Sequence, residues 1–160
     1  MPKGLKRYQD KGHFHFLTLS CHRHAFILGM PESRNTLQKI LEETRHKYSF
    51  EIFGYVIMSN HVHLLVSEPE DGKLSTAIQV MKQRFSRTCQ EEFVWEPRYH
   101  DFNVFSDRKK MEKLHYMHQN PVAAGLVDLP EQWPWSSFHV YATRKPHLVT
   151  ITQLAGLFLQ

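Results

Sequence analysis

Two histidines separated by a single residue, His61 and His63, have the type and spacing of metal ligands. In a β-strand successive side chains point to opposite faces, so both imidazoles point the same way, about 6–7 Å apart along the strand. The pair interrupts an apolar hairpin at positions where Lys or Glu would be the usual solvating residues. This pattern predicts two ligands of one divalent metal ion. The alternative is two polar side chains on the solvent side of an edge strand, since histidine is common on half-exposed surfaces.

A tyrosine on the polar face of a predicted helix, Tyr116, is the candidate nucleophile. The helix is predicted to run from Asp107, which can cap it, to about Gln119, with Pro121 ending it. On a helical wheel Tyr116 lies opposite the apolar seam, where a tyrosine placed for packing would not lie. The seam contains Met111, Leu114 and His118, and the polar face contains Lys109, Glu112, Lys113 and Asn120.

Asn120 lies one helical turn after Tyr116, with Cβ atoms about 5–6 Å apart in a regular helix. One helix can therefore present a nucleophile and an oxygen ligand together. If this helix packs against the face that carries His61 and His63, Asn120 completes a three-ligand site beside the Tyr116 hydroxyl. The alternative is an amphipathic tyrosine near a helix end, followed by Asn120 as a C-terminal stop.

The elements that must position these residues follow from the hydrophobic periodicity. Two further helices are predicted, over Ser33 to about Tyr48 and from Leu74 to Phe85, and a short last helix over Thr150 to Gln160. The predicted strands are His13 to Ser20, Glu51 to Met58, a second hairpin strand ending at Val66, and Asp101 to Ser106. This order predicts an α+β fold: a ferredoxin-like βαββαβ sandwich with an antiparallel sheet, helices on one face, and a C-terminal tyrosine-bearing helix.

Three sequence blocks carry a resemblance to a known family. They are Tyr55 to Val66 (YVIMSNHVHLLV), Tyr116 to Val127 (YMHQNPVAAGLV) and Trp133 to Ser137 (WPWSS). In these blocks the chain resembles the REP-associated tyrosine transposases, within the IS200/IS605-like group of HUH single-strand nucleases. The blocks occur in the family's order and the resemblance covers nearly the whole chain. Ser59 stands where family members usually carry proline, which changes the turn and leaves the ligands in place.

The resemblance implies a transposase that cleaves and rejoins single-stranded DNA, at hairpin-forming repeat sequences, through a 5′-phosphotyrosine intermediate. It implies Tyr116 as the nucleophile, His61 and His63 as ligands of Mg²⁺ or Mn²⁺, and Asn120 as the third ligand. Related transposases can act as dimers, so a homodimer is expected as an alternative to a monomer.

An excess of basic residues agrees with an anionic partner. Twenty Lys plus Arg against sixteen Asp plus Glu give a net charge of +4, and nucleic acid is the commonest anionic partner. Tyr99 is available for base stacking, and Lys113 could also stabilise the phenolate or the phosphate. The candidate phosphate contacts are Lys3, Lys6, Arg7, Lys82, Arg84, Arg87, Arg98 and Lys113. The alternative for each is an ordinary solvated charge.

The length of 160 residues predicts a single domain over 1–160, with a basic N-terminal arm over 1–12 and a tail over 128–160. No apolar run approaches the roughly 20 residues that cross a bilayer, and the N-terminus lacks the apolar stretch of a signal peptide. We therefore expect a cytoplasmic protein with no membrane partner. Cys21 and Cys89 are far apart and predict neither a disulfide framework nor a thiolate zinc site.

Two other functions compete with strand transfer. A ferredoxin-like sheet can bind RNA or DNA without cutting it, as RRM domains do with aromatic side chains on the sheet. A metal-dependent hydrolase would use water as the attacking group and leave Tyr116 as a bystander. Binding alone requires neither the histidine pair nor Tyr116 with Asn120, so this set of four residues favours the transposase.

Overall fold

The structure is a computed structural model that describes residues 14–154. The basic arm with Lys3, Lys6 and Arg7, and residues 155–160, lie outside the described residues. One domain over 1–160 therefore stays a prediction. The strands are β1 (Phe14–Ser20), β2 (Ile52–Ile57), β3 (His61–Val66) and β4 (His100–Val104); the α-helices are α1 (Pro31–Tyr48), α2 (Leu74–Ser86), α3 (Asp107–Ala123) and α4 (Phe138–Thr143).

The four strands form one antiparallel sheet in the order β2-β3-β1-β4. Its centre is made of β1 and β3, whose β-branched and aliphatic residues suit strands buried on both faces. The order of elements along the chain and the antiparallel pairing confirm the predicted α+β ferredoxin-like fold. Within residues 14–154 no helix is long and apolar enough to cross a membrane.

One face of the sheet is covered by α1 and α2. Alternate residues of the central strands, such as Leu17, Leu19 and Leu64, point into this core and are almost completely buried. The helices contribute apolar side chains at helical spacing, including Leu41 from α1 and Ile78 from α2. The interior of this half is mostly apolar, and the buried polar residues that α1 contributes include Arg34 and Thr44.

The opposite face is covered by α3 and the tail that follows it. Leu114 and Met117 of α3 pack on Phe16, Val56 and Leu65, which alternate with the residues of the first core. The expectation of helices on one face therefore holds for α1 and α2, and the tyrosine-bearing helix lies on the other face. That face is the one to which His61 and His63 point.

Gly54 in β2 allows α3 to lie close to the sheet. A Cβ atom at this position would be 2.4 Å from Leu114 Cδ1 and 2.9 Å from Met117 Cε, closer than packed carbon atoms approach. The absence of a side chain thus sets the separation between the helix and the strands.

The tyrosine helix begins at Asp107 as predicted, but the predicted cap and the predicted C-terminal end are wrong. Its N-cap is Ser106, whose hydroxyl accepts a hydrogen bond from Lys109 N–H at 3.1 Å, and Asp107 is the first helical residue. Pro121 lies inside α3, in its last turn, where the helix lacks the one hydrogen bond that a residue with an N–H would donate. The helix ends at Ala123, and two residues later the chain turns away at Gly125, whose φ of +77° suits glycine.

The predicted helix over Thr150 to Gln160 is also wrong for the described residues 150–154, which are not helical. Thr150 is tied by its backbone N–H and its hydroxyl to the Glu42 carboxylate of α1, at 2.9 and 2.8 Å. Thr152 N–H donates to Ile52 O at 2.9 Å. These bonds hold the chain extended along α1 and β2. Up to residue 154, the last helix that the structure describes is α4, earlier in the tail.

Candidate active site

The histidine pair occupies the start of β3, at the centre of the face that α3 covers. The ring centroids of His61 and His63 are 4.7 Å apart with an interplanar angle of 74°. This is closer than the along-strand spacing predicts, so the two rings lean towards each other. Thr18 of β1 pairs with His63 in the strand register, which places its hydroxyl beside that imidazole.

His63 is buried and neutral. Burial, together with smaller contributions from the nearby His61 and Lys113, lowers its pKa to about 3. Its Nδ1 lies 3.0 Å from Thr18 Oγ1, and when Nδ1–H donates to this hydroxyl the lone pair is on Nε2. Within the described chain Nε2 is buried and has no hydrogen-bond partner. A buried nitrogen that lacks a partner is costly, and this one has the chemistry of a metal ligand.

His61 presents a second ligand atom towards α3. Its Nδ1 lies 2.7 Å from Asn60 Oδ1 and its Nε2 lies 3.2 Å from Asn120 Oδ1. A neutral imidazole donates from only one nitrogen, so when Nδ1–H donates to Asn60 the lone pair on Nε2 faces Asn120 Oδ1. Burial is the first cause that lowers the pKa of His61, and the neutral ring follows from it. Two acceptor atoms that face each other repel unless a proton or a cation lies between them. His61 and Asn120 would hold a divalent metal here, and its positive charge would offset the repulsion between the two acceptor atoms.

One stripe of α3 supplies the remaining residues of the site. Asn120 meets His61, and Tyr116, one turn earlier, places its ring edge-on to His63, with centroids 5.4 Å apart. Tyr116 remains 52% exposed, so its hydroxyl is open to a bound strand. The ammonium of Lys113, a further turn back, lies 4.8 Å from the centroid of the Phe16 ring. The helix therefore brings Tyr116 and Asn120, which lie off the apolar seam, together at the histidine pair.

The donor set fits a divalent metal. Two imidazole rings with centroids 4.7 Å apart lie where β3 meets α3, the Asn120 amide oxygen faces one of them, and His63 Nε2 has no partner among the described residues. Among residues 14–154 no group of three His, Cys, Asp or Glu side chains could hold a metal. A third ligand in this region must therefore come from another side chain, such as the Asn120 amide, or from water.

The remaining candidate phosphate contacts lie elsewhere. Lys82 and Arg84 belong to α2, on the opposite side of the sheet: Lys82 Nζ donates to Glu96 O at 3.1 Å, and Arg84 pairs with Glu43 at 2.5 Å. Arg87 lines a groove of about 710 Å³ beside α2 that also includes Lys82 and Tyr99. Arg98 is exposed in the loop before β4. Of the candidates within residues 14–154, only Lys113 lies beside the histidine pair and Tyr116, and the roles of all the candidates stay predictions.

Sequence reasoning missed the residues that orient the ligands. Asn60 could have been found, because it directly precedes His61 and its amide is a natural imidazole partner. Thr18 could not, because it meets His63 only through the pairing of β1 with β3. Phe16, which stacks on His63 with centroids 5.2 Å apart, depends on the same register.

A sandwich with a histidine pair on its sheet and a tyrosine helix over that pair defines a class of enzyme. Residues 8–119 match the model of the family described as Transposase IS200 like, so the chain belongs to the IS200-like transposases. The match stops one residue before Asn120. This match confirms the family resemblance that was drawn from the blocks Tyr55 to Val66 and Tyr116 to Val127.

Curated relatives sharpen the placement. The chain is 27% identical over 135 residues to the REP-associated tyrosine transposase of Escherichia coli (strain K12), covering 84% of this chain and 81% of the relative. A Haemophilus influenzae relative is 28% identical over 120 residues, 66% of this chain and 68% of the relative. A solved structure of a REP-associated tyrosine transposase bound to a REP hairpin has a TM-score of 0.73 and 22% identity, covering 90% of each chain. At that identity the last likeness establishes the fold.

Proposed function

We propose that this transposase cleaves and rejoins single-stranded DNA with Tyr116 as the nucleophile and a divalent metal held by His61, His63 and Asn120. The observation that carries the proposal is the orphaned His63 Nε2, buried beneath the ring of the half-exposed Tyr116. A tyrosine with only a structural role would have no reason to lie, exposed to solvent, above a buried imidazole nitrogen that lacks a hydrogen-bond partner.

The covalent step exchanges one phosphodiester for another. The Tyr116 oxygen attacks the phosphorus and loses its proton to solvent, which reaches the exposed phenol. The bond from phosphorus to the 3′-oxygen breaks, and this oxygen leaves with a proton from solvent as a free 3′-hydroxyl. The products are a 5′-phosphotyrosine link and a 3′-hydroxyl end. A 3′-hydroxyl of another strand can reverse the step without ATP, because the phosphodiester is retained.

The metal supplies stabilisation of the charge that develops on the non-bridging phosphate oxygens. Imidazole, amide and water ligands suit Mn²⁺ well and Mg²⁺ acceptably, so we propose one of these ions. The residues do the positioning: Thr18 and Asn60 fix the orientations of the two imidazoles, and Asn120 ties α3 to β3. A phenol is a weak nucleophile while it keeps its proton, which is why a polarised target is required.

Hairpin-forming DNA is the substrate that we propose. The solved relative is bound to a REP hairpin, and the curated Escherichia coli relative is a REP-associated transposase. The positive net charge of the chain supports a DNA partner. We also propose that the protein can form a homodimer, which sedimentation with and without the hairpin tests.

The test is a covalent trap. The full chain is incubated with Mn²⁺ and a pool of 5′- or 3′-labelled hairpin oligonucleotides with randomised single-stranded flanks, then run on a denaturing gel. We expect a protein adduct that carries only the 3′-side label, with loss of the adduct in Tyr116→Phe and in the presence of EDTA. Cleavage that survives in Tyr116→Phe would instead favour attack by water. Binding without cleavage in any condition would favour the non-catalytic module.

A further inference from the structure

A row of side chains continues across the sheet from the histidine pair towards β4. In the strand register Thr18 lies opposite His63, and Phe16 lies between Leu65 of β3 and Phe102 of β4. Cross-strand partners point to the same face of a sheet, so Phe102 is on the face that carries the candidate site. Phe102 is thus a neighbour of the candidate site, on the side away from the proposed metal ligands.

The stripe of α3 runs above this row in the same order. Asn120 meets His61, Tyr116 meets His63 and Phe16, and Lys113 meets Phe16 and Phe102. The Lys113 ammonium lies 4.8 Å from the centroid of Phe16 and 4.7 Å from that of Phe102. A single cation therefore links the ring beneath the nucleophile to the ring at the sheet edge.

Phe102 differs from Phe16 in its exposure. Phe16 is 7% exposed and packs in the core, whereas Phe102 is 50% exposed on β4. Among the described residues the other edge of the sheet is covered, since Ile57 N–H of β2 donates to Trp135 O at 2.9 Å. Scattered exposed aromatic residues are common and need no explanation. Here the exposed ring is joined to a cation and aligned with the nucleophile.

We propose that Phe102 and Lys113 form a subsite for one nucleotide that flanks the scissile phosphate. The base stacks on the Phe102 ring and the Lys113 ammonium contacts the phosphate of that nucleotide. Every base has a face that can stack, so the subsite is tolerant of sequence and selects single-stranded over paired DNA. The inference rests on the proposed function and adds the place where the substrate strand leaves the site.

Equilibrium binding tests the subsite without requiring chemistry. In a Tyr116→Phe background, the affinity for a fluorescent hairpin oligonucleotide with a single-stranded flank is measured by anisotropy. An abasic site is moved along the flank one nucleotide at a time. Phe102→Leu keeps an apolar side chain without an aromatic face, and Phe102→Tyr keeps the face. Phe26→Leu is the matched control: Phe26 is 73% exposed and lines a cavity with residues of α1 and α2.

We expect Phe102→Leu to weaken binding of the intact oligonucleotide by about fivefold or more, the lower end for base–aromatic stacking. Phe102→Tyr and Phe26→Leu should bind like the parent. At one flank position the abasic site should weaken the parent by a similar factor, with no further loss in Phe102→Leu. Circular dichroism checks that each variant is folded.

The inference is overturned if Phe102→Leu binds the intact oligonucleotide as tightly as the parent, or if its loss persists for every abasic oligonucleotide. A parent that binds none of the oligonucleotides also overturns it. The proposed function is judged separately, by the Tyr116 adduct in the otherwise unchanged protein. Unchanged binding in Phe102→Leu together with a normal adduct in the otherwise unchanged protein therefore leaves the function standing and removes only the subsite.

Discussion

Two histidines buried at the contact between α3 and the sheet, His63 of β3 and His118 of α3, differ in what surrounds their nitrogens. They are 5% and 4% exposed, and burial lowers the pKa of each to about 3, with neighbouring histidines as a secondary cause. His118 Nε2 lies 2.8 Å from Ser137 Oγ, whereas His63 Nε2 has no partner among the described residues. The shifted pKa therefore reports burial in both cases, and the missing partner is what distinguishes the candidate ligand.

The surroundings of His118 explain its role in folding. Ser137 Oγ accepts Tyr55 N–H at 3.0 Å, so one hydroxyl joins β2, α3 and the tail. The rings of Phe138 and Tyr141 pack on His118 with centroids 5.5 and 5.6 Å away. At the other histidine the helix instead presents Tyr116 and Asn120. A single helix thus anchors the fold along one side and carries the chemistry along the other.

Replacing each histidine by leucine should separate the two roles and produce the largest effect. In His63→Leu we expect the Mn²⁺-dependent adduct to fall by more than about 100-fold, beyond the 10–100-fold typical of outer partners of a ligand. Its free energy of unfolding should stay the same or rise, because leucine removes a buried nitrogen without a partner.

The matched variant His118→Leu should behave in the opposite way. We expect a loss of about 1–3 kcal/mol in the free energy of unfolding, measured in urea, because the bond to Ser137 is lost in a buried place. The adduct per folded molecule should fall by less than about tenfold, well short of the loss expected for a ligand. Equal Mn²⁺ binding by the two variants, measured by electron paramagnetic resonance, would contradict the comparison.

Removing the hydroxyl beside each ring should give an intermediate effect. Thr18→Val keeps the shape of the side chain and removes the partner of His63 Nδ1, so we expect Mn²⁺ affinity to fall by about 10–100-fold. Ser137→Ala should leave Mn²⁺ affinity unchanged and lower the free energy of unfolding by about 1–3 kcal/mol. If Thr18→Val lost only stability, the hydroxyl would have no role in orienting the ligand.

A third histidine, His15, has its pKa shifted in the opposite direction, and we expect its replacement to have the smallest effect. Burial lowers its pKa, but the bonds to Asp101 and Glu68 outweigh burial and raise it to about 9. A pKa raised in the folded state contributes stability that is present below the unfolded value of about 6.5 and is lost as the pH rises through about 9.

The measurement is the urea midpoint at pH 6.5, 8 and 10 for the parent and for His15→Gln. The difference between the two proteins should shrink as the pH rises, since the parent loses its protonated imidazole. Adduct yield at pH 7 should be retained in His15→Gln, because His15 lies on the face of the sheet away from Tyr116. A stability difference that stays constant with pH would show that the two carboxylates do not hold His15 in its charged form.

Much of the fold could be predicted from periodicity. The strands around Leu17 and Val56 and the helices around Leu41 and Ile78 alternate or repeat strongly enough to identify element type and order. The capping residue and the C-terminal end of the tyrosine helix could not be predicted. Capping by Ser106 depends on local geometry, and the place of Pro121 inside the helix depends on packing against the tail. The helix predicted over Thr150 to Gln160 was wrong for residues 150–154, because Thr150 is bound by Glu42, which is distant in sequence.

For the candidate site, the sequence by itself determined which side chains share a face. Strand alternation aligned His61 with His63, and the helical repeat aligned Lys113, Tyr116 and Asn120, because both periods follow from local backbone geometry. Only the tertiary structure decided what these stripes meet. The pairing of β1 with β3 and β4 brought Thr18 to His63 and Phe102 to Lys113. Gly54 let the helix lie close to the sheet, because contacts between distant segments depend on register and packing rather than on local pattern.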